Sequence, residues 1–208
     1  MLNLNNKSVY LEYGFGDKWA ATSFLLKESE RLNKVIYFNC EDWQLIYEIA
    51  NYLNHKGKIK YKKYPIIRPN YDIVFKTKPL KTKITYKKSS NIIAYQFDGR
   101  SDFYIKNSQP HEIQYFLKYT KALNYKTINV GNMQPLNFVI NILAKCKLFV
   151  GVPSGITHVA MSVGTPIHCI FNNFDKNKLI NSYHYKQNVK YYKNLMDFCN
   201  FLPKISLL

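Results

Sequence analysis

The chain has 208 residues, 47% of them hydrophobic and 16% aromatic, with thirty Lys and Arg against thirteen Asp and Glu for a net charge of +17. That much apolar material excludes a disordered tail or a low-complexity protein, and a chain of this length buries about 70% of its unfolded surface without staples. Length alone allows one large domain or two small ones.

Short β-rich runs alternate with helical periods. Ser8–Tyr13 reads as a strand closed by the turn Gly14-Phe15-Gly16-Asp17. Lys18–Leu32 mixes Trp19, Phe24, Leu25 and Leu32 with charged residues in a helical pattern. Lys34–Asn39 is a second strand, and Asp42–Leu53 carries Trp43, Ile46, Tyr47, Ala50 and Leu53 at three-and-four spacing, the signature of a helix. Strand, helix, strand, helix implies parallel strands with crossover connections, an α/β fold.

The next stretch breaks this rhythm. Ile59–Tyr61, Tyr71–Phe75 and Ile84–Tyr86 have the composition of short strands, separated by Pro65, Pro69 and Pro79. Prolines and lysines argue for edge strands or a connecting segment. Here the charge concentrates: between Lys56 and Lys88 twelve basic residues stand against one acid, Asp72, which is +11 of the total +17. Only Arg31, Arg68 and Arg100 are arginine, and the lysine, Asn, Ile and Tyr abundance is the set that an AT-rich genome favours. Composition bias accounts for part of the excess but not for its position. A solvated lysine-rich surface and a region recruiting an anionic partner both remain open.

After this boundary the α/β pattern restarts. Asn91–Phe97 is a strand followed by the loop Asp98–Asp102, Gln109–Leu123 a helix, and Lys126–Val130 a strand ending at Gly131-Asn132. Pro135–Lys145 is a helix with proline in its first turn, Lys147–Val150 a strand, Gly155–Val163 a short helix and Ile167–Phe171 a strand. The tail Tyr191–Leu202 reads as a final helix returning across the two halves. The expected organisation is residues 1–90 and 91–208 as two Rossmann-like halves, with a ligand in the cleft outside the C-terminal strand ends.

Cysteines stand at 40, 146, 169 and 199 with no Cys-x-x-Cys pair and no His in ligand spacing, so neither a zinc site nor a disulfide framework is expected. The opening MLNLNNKSVY has no basic and apolar leader pattern, and no apolar run approaches the roughly 18 residues of a membrane span. The expectation is a cytoplasmic protein with reduced thiols, peripheral membrane contact being left open.

Two motifs could carry chemistry. Gly14-x-Gly16-Asp17 lies between the first strand and its helix. Trp19 stands where a dinucleotide fingerprint needs its third glycine, so that reading fails. A tight turn with Asp17 as N-cap explains the motif structurally; functionally, Asp17 is a carboxylate at the cleft able to take a proton from a hydroxyl. The run Val150-Gly-Val-Pro-Ser-Gly-Ile-Thr-His-Val-Ala-Met-Ser-Val-Gly-Thr-Pro166 says more. A strand runs into Pro153-Ser154-Gly155, and the helix it opens presents unpaired N–H groups and a positive dipole end, a seat for a diphosphate. Ser154 and Thr157 could add hydroxyl donors, with His158 on the first turn; a merely capped helix with a structural histidine is the alternative.

The segment GVPSGITHVAMSVGTPI resembles the signature of glycosyltransferase family 9, the ADP-heptose lipopolysaccharide heptosyltransferases, in which a strand precedes Asp-Ser/Thr-Gly-x-x-His and Gly-Thr-Pro ends the helix. The N-terminal YGFGDKWAATSFLLKESERLNKVIYF is similar to that family's opening strand, Gly-x-Gly-Asp turn and helix. The resemblance implies a GT-B architecture of two Rossmann-like halves, with the nucleotide sugar held mainly by the second. It makes Asp17 the catalytic base, with Gly14 and Gly16 shaping its turn. It makes Ser154, Gly155 and His158 the donor-diphosphate turn, with Arg100 as a phosphate-binding residue; Gly131 and Asn132 would lie near the nucleoside by topology alone. The family's acid before Ser-Gly is Pro153 here, and the N-terminal half is shorter than such transferases usually have. The acceptor is therefore not inherited, and a lipopolysaccharide acceptor is not supported.

The expected function is transfer of a sugar from a nucleotide-sugar donor, the co-substrate, to an acceptor hydroxyl. No cofactor or metal is expected, and an anionic acceptor, a glycan or DNA, would lie at Lys56–Lys88. The rivals are a phage-type DNA-base glycosyltransferase and a non-catalytic nucleotide- or nucleic-acid-binding protein on a degenerate version of the fold.

Overall fold

The computed structural model describes residues 8–11, 14–63, 66–67, 69, 73–74, 77–87, 91–99, 107–131, 134–172 and 189–206. The chain order is β1 (Ser8–Tyr10), α1 (Phe15–Leu32), β2 (Ile36–Asn39), α2 (Trp43–Tyr52), β3 (Ile59–Tyr61) and β4 (Ile66–Ile67), then β5 (Ile92–Gln96) and α3 (Pro110–Ala122). The second half continues with β6 (Lys126–Asn129), α4 (Leu136–Lys145), β7 (Leu148–Gly151), α5 (Gly155–Val163), β8 (Ile167–Ile170), β9 (Val189–Tyr192) and α6 (Leu195–Ser206).

The strands form two parallel sheets, as the strand–helix alternation requires. The first has the order β3-β2-β1-β4 and the second β6-β5-β7-β8-β9. In each, the order reverses beside the first strand, between β1 and β4 and between β5 and β7. An open parallel sheet leaves its ligand crevice at such a reversal, outside the carboxyl ends of the strands. The glycine turn before α1 and the Ser154-Gly155 turn lie at those ends.

Helix boundaries follow local chemistry. Gly14 is the N-cap of α1, Asp17 places a negative charge in its first turn, and Asn33 ends it with φ 48°. Asp17 is therefore inside the helix, not its cap. Gly164 closes α5 at φ 89°, the left-handed conformation in which a Cβ is strained.

The halves share one core. Trp19, Leu25 and Leu26 of α1, Phe38 of β2 and Ile49 of α2 pack in one buried cluster with Val139 and Leu143 of α4, Phe149 of β7 and Val159 and Val163 of α5. At the seam the Trp19 indole donates to Ser162 Oγ at 2.9 Å, a buried bond between α1 and α5. A second cluster on the opposite face of the larger sheet joins Ile93, Phe116, Val150, Ile170, Phe198 and Leu202.

Residues 77–87 form a strap, not the strand expected at Ile84–Tyr86. Asn54 N–H bonds Lys81 O at 2.8 Å and Lys83 N–H bonds Tyr52 O at 2.8 Å, fixing the strap to the end of α2. Thr82, Tyr86 and Lys87 donate their N–H groups to Ser162 O, Val163 O and Ala144 O, at 2.9, 3.0 and 2.8 Å. Those carbonyls belong to the last turns of α5 and α4, which have no partner within their own helices. Unmet helix-end carbonyls, which strand composition does not register, decide the path. The expected strand Tyr71–Phe75 lies mostly outside the described residues. β4 was not foreseen, because two isoleucines between prolines carry no period. The tail helix begins at Leu195, after the unforeseen β9. It packs on α3, β8 and β9, within the second half instead of across the two.

No helix among the described residues is long and apolar enough to cross a membrane.

Candidate active site

The two motifs separated by about 140 positions in sequence meet in space. A Cβ on Gly16 would lie 2.9 Å from Gly155 Cα and 2.9 Å from His158 Cδ2, and one on Gly155 would lie 2.8 Å from Gly16 N. The first turns of α1 and α5 therefore touch backbone to backbone, which only glycine at both positions permits. Asp17 is half-buried, and its Oδ2 lies 3.6 Å from the position a Cβ would take on the exposed Gly14. The carboxylate thus folds back over the N-terminus of α1, where the dipole favours its ionised form.

Lys18, one residue on, points away from that turn. Its Nζ lies 2.6 Å from Asp42 Oδ2, joining α1 to the loop after β2. Burial works against the Lys18 charge, but the Asp42 hydrogen bond and the fields of Cys40, Asp42 and Glu41 outweigh it and raise the ammonium above its ordinary range.

On the second sheet the candidate donor residues separate into two kinds. Ser154 and Gly155 are half-buried, Ser154 donates its hydroxyl to Gln96 Oε1 at the end of β5, and the backbone of the turn faces the β5–β7 reversal. Thr157 and His158 are buried, at 0% and 6% exposure. The Thr157 hydroxyl donates to Val152 O at 3.2 Å and accepts from Ser154 N at 3.4 Å. It is spent on holding the turn, so a hydroxyl type read from sequence proves to be a brace. His158 packs against Gly16, at the seam between the motifs.

Gly131 joins this group. A Cβ there would lie 2.9 Å from Gln96 Cγ and 3.2 Å from Asp98 Oδ1, and Gly131 N–H bonds Asn129 Oδ1 at 2.8 Å. Gln96, Asp98 and Asn129 are polar residues of the same crevice that sequence reasoning missed; their one signal was position, at strand ends flanking the reversal. Arg100 and Asn132 lie outside the described residues. Among the described residues no group of three or more His, Cys, Asp or Glu could hold a metal ion, and the four cysteines are separate, buried thiols.

Residues 103–196 match the model of glycosyltransferase family 9 (heptosyltransferase). No curated protein sequence matches the chain. Among solved structures it is similar to the dodecameric iron-containing heptosyltransferase TibC in complex with ADP-D-beta-D-heptose, at TM-score 0.55 and 15% identity over 91% of this chain. It is also similar to TibC from enterotoxigenic E. coli H10407, at 0.59 and 13% over 91%. The chain spans 63% of the length of each TibC chain. A family 9 glycosyl transferase from Veillonella parvula DSM 2008 gives 0.54 and 13% over 98% of this chain and 90% of that one. Residues 103–196 of the second half thus resemble the family 9 model by sequence, and the chain shares the GT-B-like α/β fold of these solved structures.

Proposed function

We propose that the protein is a glycosyltransferase that moves a sugar, of hexosyl or heptosyl type, from a nucleotide-sugar donor to an acceptor hydroxyl. The observation that carries this reading is the contact of the Gly14–Asp17 turn with the Ser154–Gly155 turn, which sets a carboxylate beside a helix N-terminus. The donor diphosphate would lie over the β5–β7 reversal, along the Ser154-Gly155 backbone, with the nucleoside toward Gly131. Arg100 is kept as a phosphate contact on the family resemblance alone.

In the proposed step Asp17 takes the proton of the acceptor hydroxyl as its oxygen bonds to the anomeric carbon. The bond from that carbon to the diphosphate oxygen breaks, and its electron pair leaves with the nucleoside diphosphate. The N-terminal amides and dipole of α5 oppose the charge that develops there, the term that dominates many transfer reactions. We assign leaving-group stabilisation to this helix end, not to a divalent ion, so chelator should leave the rate unchanged. An anionic acceptor at the lysine-rich first half fits the local charge. Four buried thiols fit a cytoplasmic location.

A panel of UDP-, ADP-, GDP- and CDP-sugars, assayed for transfer and for donor hydrolysis, tests the reading. With the accepted donor, Asp17→Asn should lower turnover by about 10²–10⁴-fold while donor affinity changes little. Full activity in that variant removes Asp17 from the mechanism. Turnover of none of the sugars removes the transferase reading.

A further inference from the structure

The strap forms one wall of a recess that neither motif explains. Between residues 83–87 and the C-terminal end of α4 lies a half-open cavity of about 360 Å³. Lys83, Ile84, Thr85 and Lys87 line it from the strap, and Asn141 and Lys145 from the helix. The cavity is remote from the candidate active site. Helices α4 and α5 end where β7 and β8 begin, so it sits at the amino ends of the second sheet's strands. The Ser154-Gly155 turn opens α5 at the carboxyl ends. Nine residues of helix, about 13 Å, separate that turn from the Ser162 and Val163 carbonyls that the strap meets. These lysines belong to the segment in which the charge concentrates, yet they stand away from Asp17 and the crevice.

No Asp or Glu occurs between Asp72 and Asp98 or between Glu112 and Asp175, so both walls come from acid-free stretches of sequence. Their backbone is also fixed. Lys83 N–H donates to Tyr52 O and Lys87 N–H to Ala144 O, each at 2.8 Å, and Tyr86 Oη donates to Lys147 O at 3.0 Å. A bare helix C-terminus repels anions, but strap N–H groups take up the carbonyls of Ala144, Ser162 and Val163. What faces the cavity is positive. Three ammonium groups around one recess repel each other, and a bound anion lowers that repulsion. Thr85 and Asn141 add a hydroxyl and an amide donor. Beside them Ile84 is 37% exposed, as is Phe138, one turn before Asn141 on the same helix face.

We propose that this cavity binds a phosphate monoester bearing an apolar group. Such a phosphate carries a charge of about −2 at neutral pH, compact enough for three lysine point charges to surround. A planar carboxylate is matched best by an arginine fork, and the described lining holds no arginine. Ile84 and Phe138 flank the space left for the ester's carbon substituent. A nucleic-acid backbone presents single charges in an extended row, which one enclosed cavity does not match. The assignment does not rest on the transferase reading, because this ligand and a sugar donor would lie at opposite ends of α5.

Titration calorimetry on the native protein tests the site, with phenyl phosphate as the free monoester and phenyl sulfate as the same shape with less charge. Vesicles of phosphatidylcholine containing phosphatidate present the monoester on a membrane. Phenyl phosphate should bind about tenfold more tightly than phenyl sulfate. Lys83→Ala with Lys87→Ala should weaken its binding about tenfold. That variant keeps both backbone donors, so its urea midpoint should match the native one. Asn141→Asp, which sets a carboxylate in the α4 wall without touching the strap, should weaken binding as much. Lys118→Ala with Lys121→Ala removes the same charge from exposed positions of α3 and should change affinity by less than about twofold. Vesicle binding that the strap variant loses, without binding of phenyl phosphate, keeps the site and makes the monoester a lipid headgroup. Binding of neither form overturns the assignment, as does equal affinity for phenyl sulfate. So does a strap variant that binds like the native protein, or an equal loss in the α3 variant. Binding that persists when every nucleotide sugar fails removes the transferase reading alone.

Discussion

Gly16 and Gly155 are the residues on which the candidate site depends most. A methyl group on Gly16 would meet backbone at Gly155 and the buried His158 ring, neither of which can swing aside like a flexible side-chain tip. Gly16→Ala should therefore separate the two turns, at a cost of about 1–3 kcal/mol in unfolding free energy by denaturant titration. Donor affinity should fall more than stability does, because the helix N-terminus shifts with the turn. An alanine variant with unchanged stability and donor affinity would mean that the contact carries neither. Which residues of the site were legible in sequence follows the same logic. Gly14 and Ser154 cap their helices and Gly16, Asp17 and Gly155 lie in the first helical turns, where residue type reflects backbone geometry directly. Thr157 was misread because the third residue of a helix can turn its hydroxyl back to the preceding loop, which composition does not reveal. The contact of Trp43 with Tyr61 was not legible because it arises only through the pairing of β2 with β3.

At the scale of the element, β8 and β9 place an ionisable group where water does not reach. His168 is 4% exposed, its Nδ1 lies 2.9 Å from Tyr192 Oη, and it stacks on the Tyr192 ring with Phe198 of α6 edge-on. Burial, helped by the Lys190 charge, pushes its pKa down to about 3. An unfolded histidine titrates near 6.5, so between these values the unfolded chain binds the extra proton and stability is lost as pH falls. The loss from this group should reach about 2 kcal/mol at pH 5, measured as the pH dependence of urea midpoints. His168→Phe should flatten that dependence, and an unchanged slope would show that the proton finds another site. The strand bearing His168 was expected from its apolar run, whereas β9 was not. Its four residues, Val189–Tyr192, alternate too briefly to mark a strand, and pairing with β8 decides their state.

At the scale of the whole molecule, two sheets were anticipated and a buried cluster shared by both was not. Alternating elements announce parallel sheets, but they do not say which helices face each other between them. That role falls to α1 and α5, with the Trp19–Ser162 hydrogen bond at the centre of the seam. Removing the indole would leave a large cavity in the shared cluster and strip the Ser162 hydroxyl of this donor. Trp19→Ala should cost about 3–5 kcal/mol. Because the cluster spans both halves, calorimetry should record one transition for the native protein, shifted as a unit in the variant. Two resolved transitions in the native protein would show that the halves fold independently.

The strap over residues 77–87 touches the helix ends through its main chain, while its lysines project from a path that N–H groups have already set. Its charge and its geometry are thus separable in evolutionary terms. Drift could replace Lys83 and Lys87 by almost any residue without loosening the seam, and the electrostatic character of this face could be rewritten between relatives. Proline is the exception at 82, 83, 86 and 87, because it would delete the donor itself.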